Sequence, residues 1–250
     1  MAGHSKWAQI KHKKAVTDSR RGAQFTKLAR AIQVAAREGG GDPVGNPALT
    51  LAIQKAKDAR MPKDNIERAI AKGTGADTDA DAIEAVVYEG YGPGGVAVLV
   101  EALTDNRNRT GSEVRLAFTR SGGSLGEPGS VAWVFEKKGV VLVDAERASE
   151  DDLMVAIDAG AEDVAVDENV YEVVTAPADL QAVREALEGA GIPIESAELT
   201  MRPTSRVEVP EDQVAQLMRL LEALEDHDDV NAVHANFDVD AGVLERVAAA

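Results

Sequence analysis

Residues 85–103 read AVVYEGYGPGGVAVLVEAL, two apolar, β-branched runs (Ala85 to Tyr88 and Val96 to Leu103) on either side of a glycine cluster. This pattern predicts strand, turn and strand. Gly90, Gly92 and Gly95 also satisfy the G-x-G-x-x-G spacing of a dinucleotide-binding loop, in which the third glycine opens a helix. Here it opens VAVLVEAL, a strand, so the Rossmann reading fails. No G-x-x-x-x-G-K-[ST] occurs in the chain, which removes a P-loop as well.

Towards the C-terminus, Thr104 or Asp105 can cap a helix carrying Val114, Leu116, Ala117 and Phe118. Ser121 to Ser130, SGGSLGEPGS, reads as a flexible connection. A strand at Val131 to Phe135, a turn at Lys137-Lys138-Gly139 and a strand at Val140 to Val143 then predict a hairpin. A helix (Leu153, Met154, Ile157), a second hairpin (Val164 to Val166, Val170 to Val174), a helix (Leu180, Val183, Leu187) and a strand near Ile194 to Leu199 complete an antiparallel unit. Last come Val207 to Val209, an amphipathic helix (Val214, Leu217, Met218, Leu221, Leu224) and Ala232 to Val239. Two strands and one helix at 83–120 are too few for a closed core. The final β-α-β therefore completes that domain, and the residues from 131 to about 203 read as an insertion.

Towards the N-terminus, GTGADTDAD (Gly73 to Asp81) is small, acidic and aperiodic, a linker. Before it, Thr17 or Asp18 can cap a helix that Gly39, Gly40 and Gly41 stop. Asn46 and Pro47 open a second helix (Leu49, Ala52, Ile53, Ala56), and Pro62 a third (Ile66, Ala69, Ile70) that ends at Gly73. On a wheel of about 100° per residue, Phe25, Leu28, Ala29, Ile32, Ala35 and Ala36 share one face of the first helix, and Arg20, Lys27, Arg30 and Arg37 the opposite one. The expected fold class is α+β: an N-terminal helical domain (1–75), then two α/β domains with mainly antiparallel sheets, one (131–203) inserted in the other (82–130 plus 204–240).

Charge divides along the same lines. Residues 1–72 hold fifteen Lys or Arg against six Asp or Glu, a net of +9, which leaves −25 for residues 73–250 of a chain whose total is −16. The basic part suits a polyanion that the acidic part could not approach unaided. Within it, Lys6, Lys11, Lys13 and Lys14 surround Trp7, His4 and His12. Lysines neutralise phosphates and release counterions, and flat rings can stack on bases. Trp7 can do so, or can anchor the arm to the helical domain. Arg107 and Arg109, near a helix N-terminus, form a secondary anion site or else pair with the acidic body.

Other classes find little support. The chain has no Cys, hence no disulfide and no thiolate nucleophile or ligand. Its basic start has no apolar h-region after it, and no apolar run approaches eighteen residues, so the reading is a soluble, cytoplasmic chain without membrane contact. Four histidines, one of them (His227) beside Asp226, Asp228 and Asp229, make no metal site, since an acidic run at a helix end is ordinarily solvated. G-x-S-x-G is absent and no carboxylate pair stands out. A monomer without enzymatic activity, metal or cofactor is expected.

The strings AGHSKWAQIKHKK, RGAQFTK, GGGDP, MPKDNIERAI, YEGYGPGGVA, LTDNRNRT and GGSLGEPGSVAWVFEKKG run from residue 2 to about 139. In register, they resemble the YebC-like family, which also resembles the mitochondrial translational activator of cytochrome oxidase subunit one. The resemblance implies three domains, a helical one followed by two α/β domains, one inserted in the other. Bacterial members are described as DNA-binding transcriptional regulators, and relatives act in translation, helping ribosomes through consecutive prolines. It also carries contact roles onto Lys6, Lys11, His12, Lys13, Lys14, Arg20, Arg21 and Lys27; Arg30 and Arg37 rest on the helix wheel. Thr50 stands where many relatives carry a basic residue, which weakens the case for the second helix at nucleic acid.

Phosphate-suited Lys and Arg with few base-reading Asn or Gln favour an RNA- or ribosome-binding translation factor that relieves stalling, with ribosomal RNA as partner. The alternative is a transcriptional regulator on duplex DNA. A third reading is a protein-interaction regulator whose acidic domains meet ribosomal or polymerase proteins, although that acidity also serves solubility.

Overall fold

The computed structural model describes residues 18–75, 83–167 and 169–248. These fall into two compact units, residues 18–132 with 215–235 and residues 133–214 with 236–248. Among the described residues no helix is long and apolar enough to cross a membrane.

The first unit opens with α1 (Asp18–Gly39), α2 (Pro47–Asp58) and α3 (Lys63–Gly73). Leu28, Ile32, Ala35 and Ala36 of α1 close a core with Leu49, Ala56, Met61, Ile66 and Ala69. Asn46 holds the first corner. Its Oδ1 accepts from the N–H of Leu49, capping α2, while its Nδ2 donates to the carbonyls of Ala35 and Gly40, both at 2.8 Å. One buried amide thus satisfies both helix ends. At the second corner the N–H of Met61 reaches the carbonyl of Ala56 (2.9 Å), and Arg60 takes φ 59°. Glycine or asparagine usually occupies that left-handed position; an arginine there costs about 1–2 kcal/mol.

After the linker, β1 (Glu84–Tyr91) and β2 (Ala97–Thr104) pair antiparallel from Glu84↔Thr104 to Tyr91↔Ala97. The glycine cluster is their turn, with Gly94 and Gly95 at φ 75°. Next come α4 (Arg107–Arg120) and β3 (Ser124–Leu125), which pairs with Gly90 and Tyr91 of β1. Ser121 to Ser130 was expected to be a flexible connection and is instead tied down. Buried Glu89 accepts from the backbone N–H groups of Gly129, Val131 and Ala132 at 2.7–2.8 Å. Burial pushes its carboxyl up, but those three donors outweigh it and hold the pKa below the usual value.

The second unit contains β4 (Phe135–Asp144), α5 (Met154–Asp158), β5 (Ala161–Asp167), β6 (Val170–Thr175), α6 (Leu180–Gly189) and β7 (Ile194–Pro203). Its sheet runs β5-β6-β4-β7, antiparallel throughout. Here the hairpin expected around Lys137-Lys138-Gly139 is wrong. These residues lie inside one ten-residue strand, with Lys138 opposite Thr200 and Gly139 opposite both Thr175 and Leu199. Gly139 marks a close approach rather than a turn, because a Cβ there would run into Thr175 Oγ1 and come within 2.9 Å of Leu180.

Beyond β8 (Val207–Glu208) and α7 (Glu211–Glu225), the chain returns through β9 (Val230–Ala235) to the first sheet, completing the order β3-β1-β2-β9. Both strands of the predicted β-α-β are shorter than expected. Val207–Glu208 pairs in parallel with β10 (Phe237–Asp238), and α8 (Ala241–Ala248) comes after it. Because β9 pairs with β2, the second sheet lies in sequence between elements of the first.

Replacing Gly139 by valine should lower stability by about 1–3 kcal/mol through overpacking. Urea denaturation checks this: an unchanged midpoint would remove the close approach as the reason for glycine.

Candidate nucleic-acid interface

The cationic ridge of α1 is a stripe at helical spacing, Lys27, Arg30, Val34 and Arg37. Val34 is buried yet lies outside the three-helix core. Its neighbours on the stripe bond to segments that adjoin the sheet of the same unit. Lys27 Nζ donates to the carbonyl of Glu225, Arg37 Nη2 to that of Ile83, and Arg30 Nη1 to the Asp228 carbonyl at 2.8 Å and to Asp229 Oδ1 at 2.7 Å. Of the residues read from the sequence as a ridge facing a polyanion, Lys27 and Arg30 are thus half-buried and engaged within the unit, while Arg37 is exposed. Charge alone suggested solvent, whereas an apolar residue in mid-ridge is the signal that the face is covered.

Asp229 is the centre of this contact. It precedes β9, and its own carbonyl accepts from the N–H of Leu103 on β2 at 2.7 Å, which carries it to the sheet edge. Its carboxylate is 3% exposed. Besides Arg30, it takes Arg109 Nη2 at 2.8 Å and Thr110 Oγ1 at 2.7 Å on Oδ2. Burial pushes its pKa up, but the hydrogen bonds from Arg109 and Thr110 and the charges of Arg30 and Arg109 prevail and lower it to about 2. The run Asp226 to Asp229 was expected to be solvated; Asp229 overturns that, because two guanidiniums and a hydroxyl replace its water.

Of the secondary anion site, Arg109 is spent on Asp229 and on Asp105 (2.9 Å). That is the intramolecular pair rather than the phosphate clamp. Arg107, at the first turn of α4, remains exposed. Glu113, His227 and Asp229 bring one ligand atom each within 4.8 Å of one another. The donor set is already used. His227 Nδ1 accepts from the Asp229 N–H at 3.1 Å, so Nε2 carries the proton towards Glu113 at 2.8 Å, and the guanidiniums would repel a cation. The cluster reads as an ion-pair network. In the second unit, Val209, Pro210, Val214 and Val239 line a cleft of about 420 Å³ rimmed by Glu208, Glu211, Asp238 and Asp240.

Lys6, Trp7, Lys11, His12, Lys13 and Lys14 lie outside the described residues, as do the side chains of Arg20 and Arg21. Of the predicted contact residues that are described, Lys27 and Arg30 are half-buried against Glu225, Asp228 and Asp229, and Arg37 is exposed with its Nη2 on the Ile83 carbonyl.

Two family models match the chain: the TACO1/YebC protein N-terminal domain over residues 5–76, and the TACO1/YebC second and third domain over residues 83–237. The chain belongs to the TACO1/YebC family. Among its relatives, a protein of Rubrobacter xylanophilus named "Probable transcriptional regulatory protein" is 57% identical over 99% of this chain and 100% of its own. One of the same name from Acidothermus cellulolyticus is 56% identical over the same shares. The crystal structure of a conserved hypothetical protein from Aquifex aeolicus, 52% identical, superposes with a TM-score of 0.84 over 94% of this chain and 97% of that one. The mixed fold of helical start and antiparallel sheets is therefore the fold of the family.

The Asp229 cluster shapes the response to acid. The folded pKa of Asp229 is depressed, so its stabilisation is present above the unfolded pKa of about 3.9 and is lost as pH falls through about 2. Wild type should thus lose about 2 kcal/mol between pH 5 and pH 2 that Asp229→Asn does not lose; equal pH dependence in both would contradict the assignment. Arg30→Gln should lower stability by about 1–3 kcal/mol while leaving the salt dependence of polyanion binding at its wild-type slope.

Proposed function

We propose that this protein is a regulator of gene expression that acts by binding nucleic acid rather than by catalysis, and that its target is RNA, on its own or in the ribosome. The observation that carries the reading is the charge division, +9 over residues 1–72 against −25 over the remainder. Such a chain can approach a polyanion only through its basic end, with the acidic body held away. The regulator role draws support from relatives named as transcriptional regulators over their whole length. Lys and Arg in the arm suit phosphates, and few Asn or Gln are placed to read bases, which favours RNA and relief of stalled translation over promoter recognition.

The names of those relatives favour a second reading, a transcriptional regulator on duplex DNA. A salt series separates the two. Binding to structured ribosomal RNA, intact ribosomes and duplex DNA is compared for the full chain and for a version lacking residues 1–16. On the proposed reading, RNA or ribosomes are preferred, and the triple substitution of Lys11, Lys13 and Lys14 by Glu flattens the log-log slope by about two to three units. Sequence-selective DNA binding that persists near physiological salt would replace this reading with the second.

A further inference from the structure

Lys27 and Arg30 are half-buried and Arg37, though exposed, donates to the Ile83 carbonyl; the other exposed cations of the described helical segment lie on α2, α3 and the turn between them. Residues 55–72 hold six cations and only three acids, in a chain that is acidic overall. Lys57, Arg60 and Lys72 are exposed and have no side-chain partner among the described residues. Lys63 meets Glu67 at 3.4 Å, but both side chains are mostly in water, where such a pair competes weakly with a phosphate. Asp58 accepts from Gln54 at 2.9 Å.

The surface is firmly built. Buried Met61, its N–H on the Ala56 carbonyl and the Ile66 N–H on the Pro62 carbonyl close the turn between α2 and α3. Lys57, Arg60 and Lys63 therefore gather at one corner. The exposed positions from Lys55 to Lys72 are charged residues, Pro62 and Ala71, with no large apolar or aromatic side chain. A protein partner would need such an anchor, and a phosphate backbone does not.

We infer that the α2–α3 corner, through Lys57, Arg60 and Lys63, is a phosphate-contacting surface for RNA that extends the interface beyond the N-terminal arm. The inference rests on the RNA reading above and locates a surface that the sequence had discounted at Thr50.

The full chain with Lys57→Glu, Arg60→Glu and Lys63→Glu is titrated against structured RNA and duplex DNA over a salt series. Beside it stand the version lacking residues 1–16 and a charge-matched control, Arg115→Glu, Arg120→Glu and Lys137→Glu. The corner variant should lose about two to three units of log-log slope on RNA, and the control none. Arg60→Gly relieves the left-handed position, so it should melt no lower than wild type and still lose about one unit of slope. A wild-type slope in the corner variant, with the arm deletion still weakening binding, overturns this inference alone. A slope lost on duplex DNA but kept on RNA also overturns it. Absence of RNA binding by the wild type overturns both this inference and the reading it rests on.

Discussion

A carboxylate that is 3% exposed is stable as an anion only when its surroundings replace water, and at Asp229 two guanidiniums and a hydroxyl do so. Arg30 reaches it from α1, Arg109 and Thr110 from α4, and the backbone of Asp229 continues into β9. Three segments far apart in sequence therefore converge on one charge. Removing either guanidinium leaves the carboxylate short of a donor, and removing the carboxylate leaves two cations facing each other. Helix α1 is thus fixed between the three-helix core on one face and the sheet on the other, with Val34 buried outside that core.

Buried anionic oxygen is managed in the same way at Glu89, by three backbone N–H groups instead of side-chain cations. That arrangement orders a glycine-rich stretch with little side chain of its own to pack, and it does so where the chain leaves the first sheet for the second. Gly139 is the complementary case. There the absence of a Cβ lets α6 and β6 close over the middle of β4.

These structural commitments redistribute the charge available for function. Lys27 and Arg30, which the helix wheel assigns to solvent, are instead engaged within the unit, and the exposed cations of the described helical segment are Arg37 and those of α2, α3 and the turn between them.

Periodicity and punctuation were sufficient for the three N-terminal helices and the strand-turn-strand around the glycines, because each is written in local spacing; the return of β9 to the first sheet followed instead from the shortage of elements at 83–120. The dinucleotide-loop reading could be dismissed from sequence for the same reason, since Gly95 leads into a strand rather than a helix. The family, too, was legible, in long strings that keep their register. Several features were not legible. Lys137-Lys138-Gly139 looks like a turn, and only its pairing with β6 and β7 makes it mid-strand. Asp229 looks like one more solvated acid, and only convergence of Arg30 and Arg109 buries it. A sequence states which residues are charged; which charges face water is decided by partners brought from more than a hundred residues away, and tertiary structure alone supplies them.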